Sequence, residues 1–321
     1  MTSRNTGAMS VPTGAPASGP TGAPAGSIYD LGYRHYEGKR NGRAYAMWSL
    51  FVESLRGVWG FGRPMTAKAA PFILAGLYAL PAVVQLAFSS VITQQAAASG
   101  QAPELLAYHS YFQNFSFLVF FFCVAQAPEL VCRDQRYQVL PLYFTRAMGR
   151  IEYATARLAA LVVALFVVLL VPAIALLIGD VLMQPDAFKA VGDELPKALP
   201  SIPAGALTAL GLGALSLAVS SFSPRRAYSA IGLVAYVLLM EAIPAAIYSI
   251  GNNAASNPAD KLFLLSPLTS LMGATSWFFG KPLNTQDFAG SLTSADYLLG
   301  AIVTAAIATA VLMYRYRRLP A

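Results

Sequence analysis

The chain has 321 residues, of which 56% are hydrophobic and only 12% charged, with a mean hydropathy of +0.53. Water-soluble domains carry about twice that share of charge, and the apolar residues here gather in blocks of about twenty, the length that crosses a hydrocarbon core as a helix. An ordinary soluble domain is excluded, and because the cations behind the net charge of +7 flank apolar blocks, membrane topology and not nucleic acid accounts for them.

Residues 1–27 are almost entirely Gly, Pro, Ala, Ser and Thr, with Thr-Gly-Ala-Pro-Ala at 13–17 and again at 21–25. Such a segment buries too little apolar surface to offset its ordering entropy and is expected to be a disordered tail. It lacks the charged start and apolar run of a cleaved signal peptide. A cytoplasmic segment, 28–69, follows. Its first part, 28–43, combines tyrosines with Arg34, Lys39, Arg40 and Arg43, which suits a leaflet rich in anionic lipid. Residues 44–60 read as an amphipathic helix, with Met47, Phe51, Leu55, Val58 and Trp59 on one face and Glu53, Ser54 and Arg56 mostly off it. Its length suits a helix lying in the membrane interface. Gly60, Gly62 and Pro64 end it.

A transmembrane domain, 70–318, then holds six spans at about 71–93, 111–131, 158–183, 203–222, 227–250 and 296–314. Their alternation puts every arginine on one side, together with Lys39 and Lys68. Only Lys189, Lys197, Lys261 and Lys281 fall on the other. By the positive-inside rule both termini are expected in the cytoplasm. Residues 262–279 are apolar enough to suggest a seventh span, which would move Arg315, Arg317 and Arg318 outside. Ser266, Pro267, Thr269, Ser270, Gly273, Thr275 and Ser276 also suit a lipid-facing helix poorly. The stretch is read as one or two short helices in an extracellular re-entrant region, 251–294, packed on protein. The expected fold is thus all-α and polytopic: six transmembrane helices, an N-terminal amphipathic interfacial helix and short extracellular helices before the last span.

Between the second and third spans lies a long cationic connection, 133–157, with apolar residues of its own at helical spacing. Cytoplasmic work is expected there. Leu140, Leu142, Tyr143 and Phe144 offer an apolar anchor and Arg136, Arg146 and Arg150 a charged rim for a partner. The alternative is that these arginines hold the loop at the anionic leaflet.

Ionisable residues within the spans are few. Glu129 ends the second span, and Asp180, near the outer end of the third, reads as an interfacial acid. Glu241 is either a substrate or proton contact, or a carboxylate hydrogen-bonded to a neighbouring helix or exposed in an outer vestibule. The second span is rich in phenylalanine, Phe121 included, with Gln126 among them. It serves helix packing and lipid contact, or walls a pathway for a greasy substrate. Gly205, Ala209 and Gly213 recur every four residues and permit close helix approach. Cys123 and Cys132 suggest neither a disulfide framework nor a metal site, and His35 and His109 read as separate surface histidines. There is no Gly-x-x-x-x-Gly-Lys-Ser/Thr phosphate loop, no zinc cluster and no Gly-x-Ser-x-Gly elbow. No enzyme is expected; uphill work would draw on another polypeptide or an ion gradient.

Three features together resemble the permease subunit of type-2 ABC exporters, the ABC-2 membrane family. The helix at 44–60 is similar to that family's connecting helix. The exit Glu129-Leu-Val-Cys-Arg133, continuing through Leu142-Tyr-Phe-Thr-Arg-Ala-Met-Gly-Arg-Ile-Glu-Tyr-Ala-Thr-Ala-Arg157, resembles its acid followed by a spaced arginine, glutamate-tyrosine and lysine pattern. The apolar excursion at 262–279 is the third. Residues 28–43 also resemble the N-terminal signature of some actinobacterial members, and the likeness covers 28–318. Ala147 stands where the family often has proline, and Arg157 where it usually has lysine.

The resemblance implies that 132–157 holds a coupling helix, with Arg133, Arg136, Leu140, Leu142, Tyr143, Phe144, Arg146 and Arg150 docking onto a separate ABC-type ATPase that binds ATP and magnesium. This chain would need no cofactor. It also implies a bacterial inner-membrane protein working with a second permease subunit, identical or different. Phe121, Gln126 and Glu241 would lie near the pathway of a hydrophobic or amphipathic substrate, and Glu129 would be structural or gating. The alternatives are a proton-coupled secondary transporter or channel using Glu241, which lacks the inverted repeat and broken helices expected of one, or a non-transporting membrane anchor.

Overall fold

The computed structural model describes residues 38, 41–62, 64–99, 107–144, 148–184, 186–250, 258–281, 283 and 292–318. The chain divides into Met1–Arg40 and Asn41–Ala321. Apart from Gly38 the first unit lies outside the described residues, and with it the expected tail and most of the basic segment after it.

The second unit is helical, with no strand among its described residues. Its helices are α1 (Arg43–Val58), α2 (Met65–Ser99), α3 (Tyr108–Arg136), α4 (Leu140–Phe144), α5 (Arg150–Leu182), α6 (Ala187–Ala198), α7 (Ser201–Ser220), α8 (Arg226–Ile250), α9 (Pro267–Phe279) and α10 (Ser294–Arg317). A 3-10 helix, Pro258–Leu265, precedes α9. Six segments are long and apolar enough to cross a membrane: Lys68–Ser89, Tyr108–Arg136, Arg150–Leu182, Phe188–Ser220, Arg226–Tyr248 and Ser294–Arg317. The prolines inside α2, α3, α5 and α8 do not end those helices, as is common where neighbours compensate the missing donor.

Helix α7 packs closely against α3, α5, α8, α9 and α10. Its small residues are the reason. A Cβ on Gly213 would meet Val162 at 3.3 Å and Leu165 at 3.4 Å, and one on Gly205 would meet Phe112 and Phe166 at 3.7 Å. Bare backbone there lets α3 and α5 approach to van der Waals distance, where packing stabilises helix pairs most.

Residues 262–279 form no seventh span. They fold into the end of the 3-10 helix and α9, packed against α7, α8 and α10. At the N-terminus of α9 the carboxylate of Glu241, from α8, accepts from Leu268 N at 2.8 Å, Thr269 N at 3.2 Å and Thr269 Oγ1 at 2.5 Å. A carboxylate there satisfies orphan donors and faces the positive end of the helix dipole. At the other end Gly280, with φ of +59°, turns the chain back so that Lys281 N donates to Ser276 O. That left-handed geometry favours glycine.

Two sequence expectations need revision. The buried stripe of α1 is Leu50, Ser54 and Val58, with Phe51, Leu55 and Trp59 half-buried and Met47 exposed. The face is rotated because Ser54, expected to lie off it, is drawn inward as a hydrogen-bond partner of α5. And α6, which nothing in the sequence reading anticipated, precedes α7.

Candidate functional site

The connection at 133–157 is mostly helix. Between Pro128 and Gln138 nothing interrupts α3, so Arg133, Asp134 and Arg136 sit on its last turns. Gln138 then takes a left-handed conformation (φ +54°), and Val139 N donates back to Asp134 O. After α4, α5 starts at Arg150, its first turn closed by Gly149 N donating to Glu152 Oε2 at 2.7 Å. Among the described residues, the non-helical part of the expected loop therefore shrinks to 137–139 and 148–149.

Beneath it lies a polar network that the sequence reading missed. Asp134 accepts from Tyr153 OH at 2.6 Å and forms an ion pair with Arg157. Arg157 also donates to Ser54 Oγ at 3.0 Å and lies over the Tyr153 ring. Tyr153 in turn contacts the rings of Tyr316, Tyr143 and Phe144. Burial, reinforced by the Asp134 carboxylate, raises the Tyr143 phenol above its ordinary pKa. Helices α1, α3, α4, α5 and α10 thus meet at one cluster. The only signal in the sequence was an acid and a base flanking the loop.

This cluster divides the expected anchor. Leu140 is buried, and Tyr143 and Phe144 pack inward on Tyr153. Leu142 is 64% exposed and Tyr137 67%. Gln138, Arg133 and Arg136 are exposed too, and Arg150 is half-buried, its guanidinium over the Phe144 ring. Arg146 lies outside the described residues. The outward face of the turn is therefore Tyr137, Gln138 and Leu142 beside Arg136.

Next to it, Glu129 is 8% exposed and ion-paired with Arg226 of α8, with Arg133 at 4.0 Å. Two hollows meet at this pair. One, about 900 Å³, is bordered by Arg133, Arg136, Tyr137, Gln138, Arg225 and Arg226. The other, about 830 Å³, is a groove between α2, α3 and α8 that takes in Phe121, Gln126 and Glu129. Phe121 is half exposed and Gln126 buried. Of the expected pathway residues, Glu241 stands apart. It lies fifteen positions beyond Arg226, roughly 22 Å along the helix axis, and is engaged with α9.

At the opposite end of the bundle, Tyr108 donates to Asp180 at 3.5 Å, and Lys197 pairs with Glu194 at 2.6 Å on α6. These residues border a cavity of about 680 Å³ with His109 and Lys281. Asp180 therefore faces protein as well as surface. Cys123 and Cys132 are free and buried. Among the described residues no His, Cys, Asp or Glu cluster is arranged to hold a metal.

No protein-family model matches the chain, and a search of curated proteins finds no match either.

Proposed function

We propose that the chain is the membrane-spanning permease subunit of an ATP-binding-cassette exporter, acting as a dimer in the bacterial inner membrane with both termini cytoplasmic. The observation that carries this reading is the α3–α4 turn. It presents Tyr137, Gln138, Leu142 and Arg136 outward, while Leu140, Tyr143 and Asp134 tie it rigidly to α1, α5 and α10. A lever needs both properties: a face for the partner and stiff attachment to the spans it must move. The partner ATPase binds ATP and magnesium, and this chain contributes no catalytic group.

The pathway in this reading is the groove of Phe121 and Gln126, completed by a second permease copy or a different second permease. The share of each span buried within one chain supports an assembly or lipid contact there: 22% for α2 and 17% for α8, the lowest of the six. The substrate class is hydrophobic or amphipathic, because aromatic faces bind such molecules without one fixed geometry. Nothing in the geometry favours a proton-coupled carrier, since Glu241 is occupied as a helix cap.

The test is co-expression with an ABC-type ATPase encoded beside this gene, followed by purification and measurement of ATP hydrolysis. Leu142→Glu and Tyr137→Glu should abolish co-purification and stimulated hydrolysis while leaving the permease's unfolding temperature unchanged. Intact assembly and hydrolysis in both variants would sink the docking assignment.

A further inference from the structure

The arginine-bordered hollow between the end of α3 and the start of α8 differs from an ordinary basic surface in its charge balance, its walls and what it opens onto. Arg133, Arg136, Arg225 and Arg226 surround it against one acid, Glu129. Glu129 is already engaged by Arg226 and approached by Arg133. Among the described residues Arg136 and Arg225 pair with no carboxylate. Each lies over a neighbouring ring, Tyr137 at 6.0 Å and Tyr228 at 5.5 Å, which orients the planar guanidinium. The first amides of α8 start at the same hollow, adding the positive end of a helix dipole.

The walls are stapled together. Gln135 Nε2 donates to Ser221 O at 3.0 Å, and Ser229 Oγ donates to Ser220 Oγ at 2.9 Å. These bonds fix the end of α3 and the start of α8 to the end of α7, so the hollow is part of the packed bundle. It also continues into the groove between α2, α3 and α8, sharing Glu129, Arg226 and Ala227 with it. That groove is lined by Leu74, Phe121, Val124, Ala125 and Ala230.

From these observations we infer that the two hollows together seat one anionic phospholipid. Its phosphate sits between Arg136 and Arg225, and an acyl chain lies along the groove past Phe121. A phosphate is matched by fork-shaped guanidinium donors. The adjoining apolar groove selects a ligand with a tail, which a soluble phosphate or an acidic peptide lacks. The seat shares Arg136 with the docking turn and Phe121 with the proposed pathway, but lipid retention is read on the permease alone, so its failure is distinguishable from failure of the ATPase docking assay.

The test uses the purified full chain in nonionic detergent, with bound lipid read by native mass spectrometry. Phosphatidylglycerol and phosphatidylcholine with the same acyl chains are compared, and inorganic phosphate and glycerol phosphate serve as tail-free competitors. Phosphatidylglycerol should be retained under conditions that strip phosphatidylcholine. The double variant R136Q/R225Q should lower its retention about thirtyfold, on the scale expected for two arginines at an anionic surface. Ala230→Phe, which fills the groove, should also lower retention, and Leu142→Glu should leave it unchanged. Equal retention of the two lipids by the unmodified chain would overturn the inference, a comparison that needs no variant to fold. So would undiminished retention in R136Q/R225Q, or displacement of the lipid by inorganic phosphate at matched concentration.

Discussion

Asp134 and Arg157 show what a single residue contributes here. Their side chains are only 16% and 10% exposed, and Tyr153 and Ser54 add hydrogen bonds around them, although the buried Nε of Arg157 has none. Removing one member of such a pair leaves a charge with nothing to neutralise it. Asp134→Asn should therefore cost on the order of 3–5 kcal/mol, whereas the double change Asp134→Asn with Arg157→Met should recover much of that. Thermal unfolding in detergent reads both, and a double variant as unstable as the single one would contradict the pairing. Glu241 behaves differently. Glutamine keeps an oxygen that can accept from Leu268 and Thr269, so Glu241→Gln should lose about 1 kcal/mol and Glu241→Ala about 2 kcal/mol, within the range of lost helix caps. Transport should survive Glu241→Gln if ATP drives it, and a flux assay checks this. The sequence left Glu241 open between a substrate or proton contact, a hydrogen bond to a neighbouring helix and exposure in an outer vestibule; its carboxylate is hydrogen-bonded to the N-terminus of α9. Asp134 gave no such warning, because its meaning depends on a partner twenty-three positions away and on another helix.

Elements show the same division between local pattern and tertiary choice. The helical tendency of 140–144 was legible from its apolar spacing, but which side chains turn inward was not, since the ring of Tyr153 decides that. The consequence is a sharp contrast: Leu140→Glu should unfold the α3–α4 region, and Leu142→Glu should leave it folded. Hydrogen exchange across 137–149 separates the two. In α1 the apolar spacing located the helix, yet the buried face shifted because Arg157 draws Ser54 inward. Helix α6 was hidden because it is short and rich in charge, with Pro196 inside it. At α9, close packing on α10 makes another demand. A Cβ on Gly273 would fall 2.6 Å from the Cβ of the fully buried Tyr297, so Gly273→Ala must push the two helices apart. The expected loss is about 1–3 kcal/mol, read as a lower unfolding temperature with faster exchange in α9.

For the whole molecule, the six spans were the most legible feature, because length and hydropathy alone define them. The close packing on α7 was readable only as small-residue spacing. The arginines at the ends of α3 and α10 and at the starts of α5 and α8 gather at one end of the bundle, linked by Arg150 donating to Arg317 O and by Arg315 over the Phe222 ring. Lys197, Lys281 and His109 collect at the other. Such segregation sets orientation during insertion. Reporter fusions at the two termini should therefore both report a cytoplasmic position, and opposite reports would break the six-span topology. Of the residues expected to lie near a pathway, Phe121 and Gln126 border one groove, beside Glu129, and Glu241 lies away from it, engaged with α9.

The cluster around Tyr153 also has a consequence for how the chain is made. Its members on α1, α3 and α5 leave the ribosome long before Tyr316, which α10 supplies. Until that last span inserts, the Asp134–Arg157 pair lacks part of its cover, and the arginine-rich end stays open to water and to quality-control proteases. Newly made chains should therefore pass through a protease-sensitive stage that ends when α10 docks. Tyr316→Ala should prolong that stage in a pulse-chase experiment, even under conditions where the finished protein is stable.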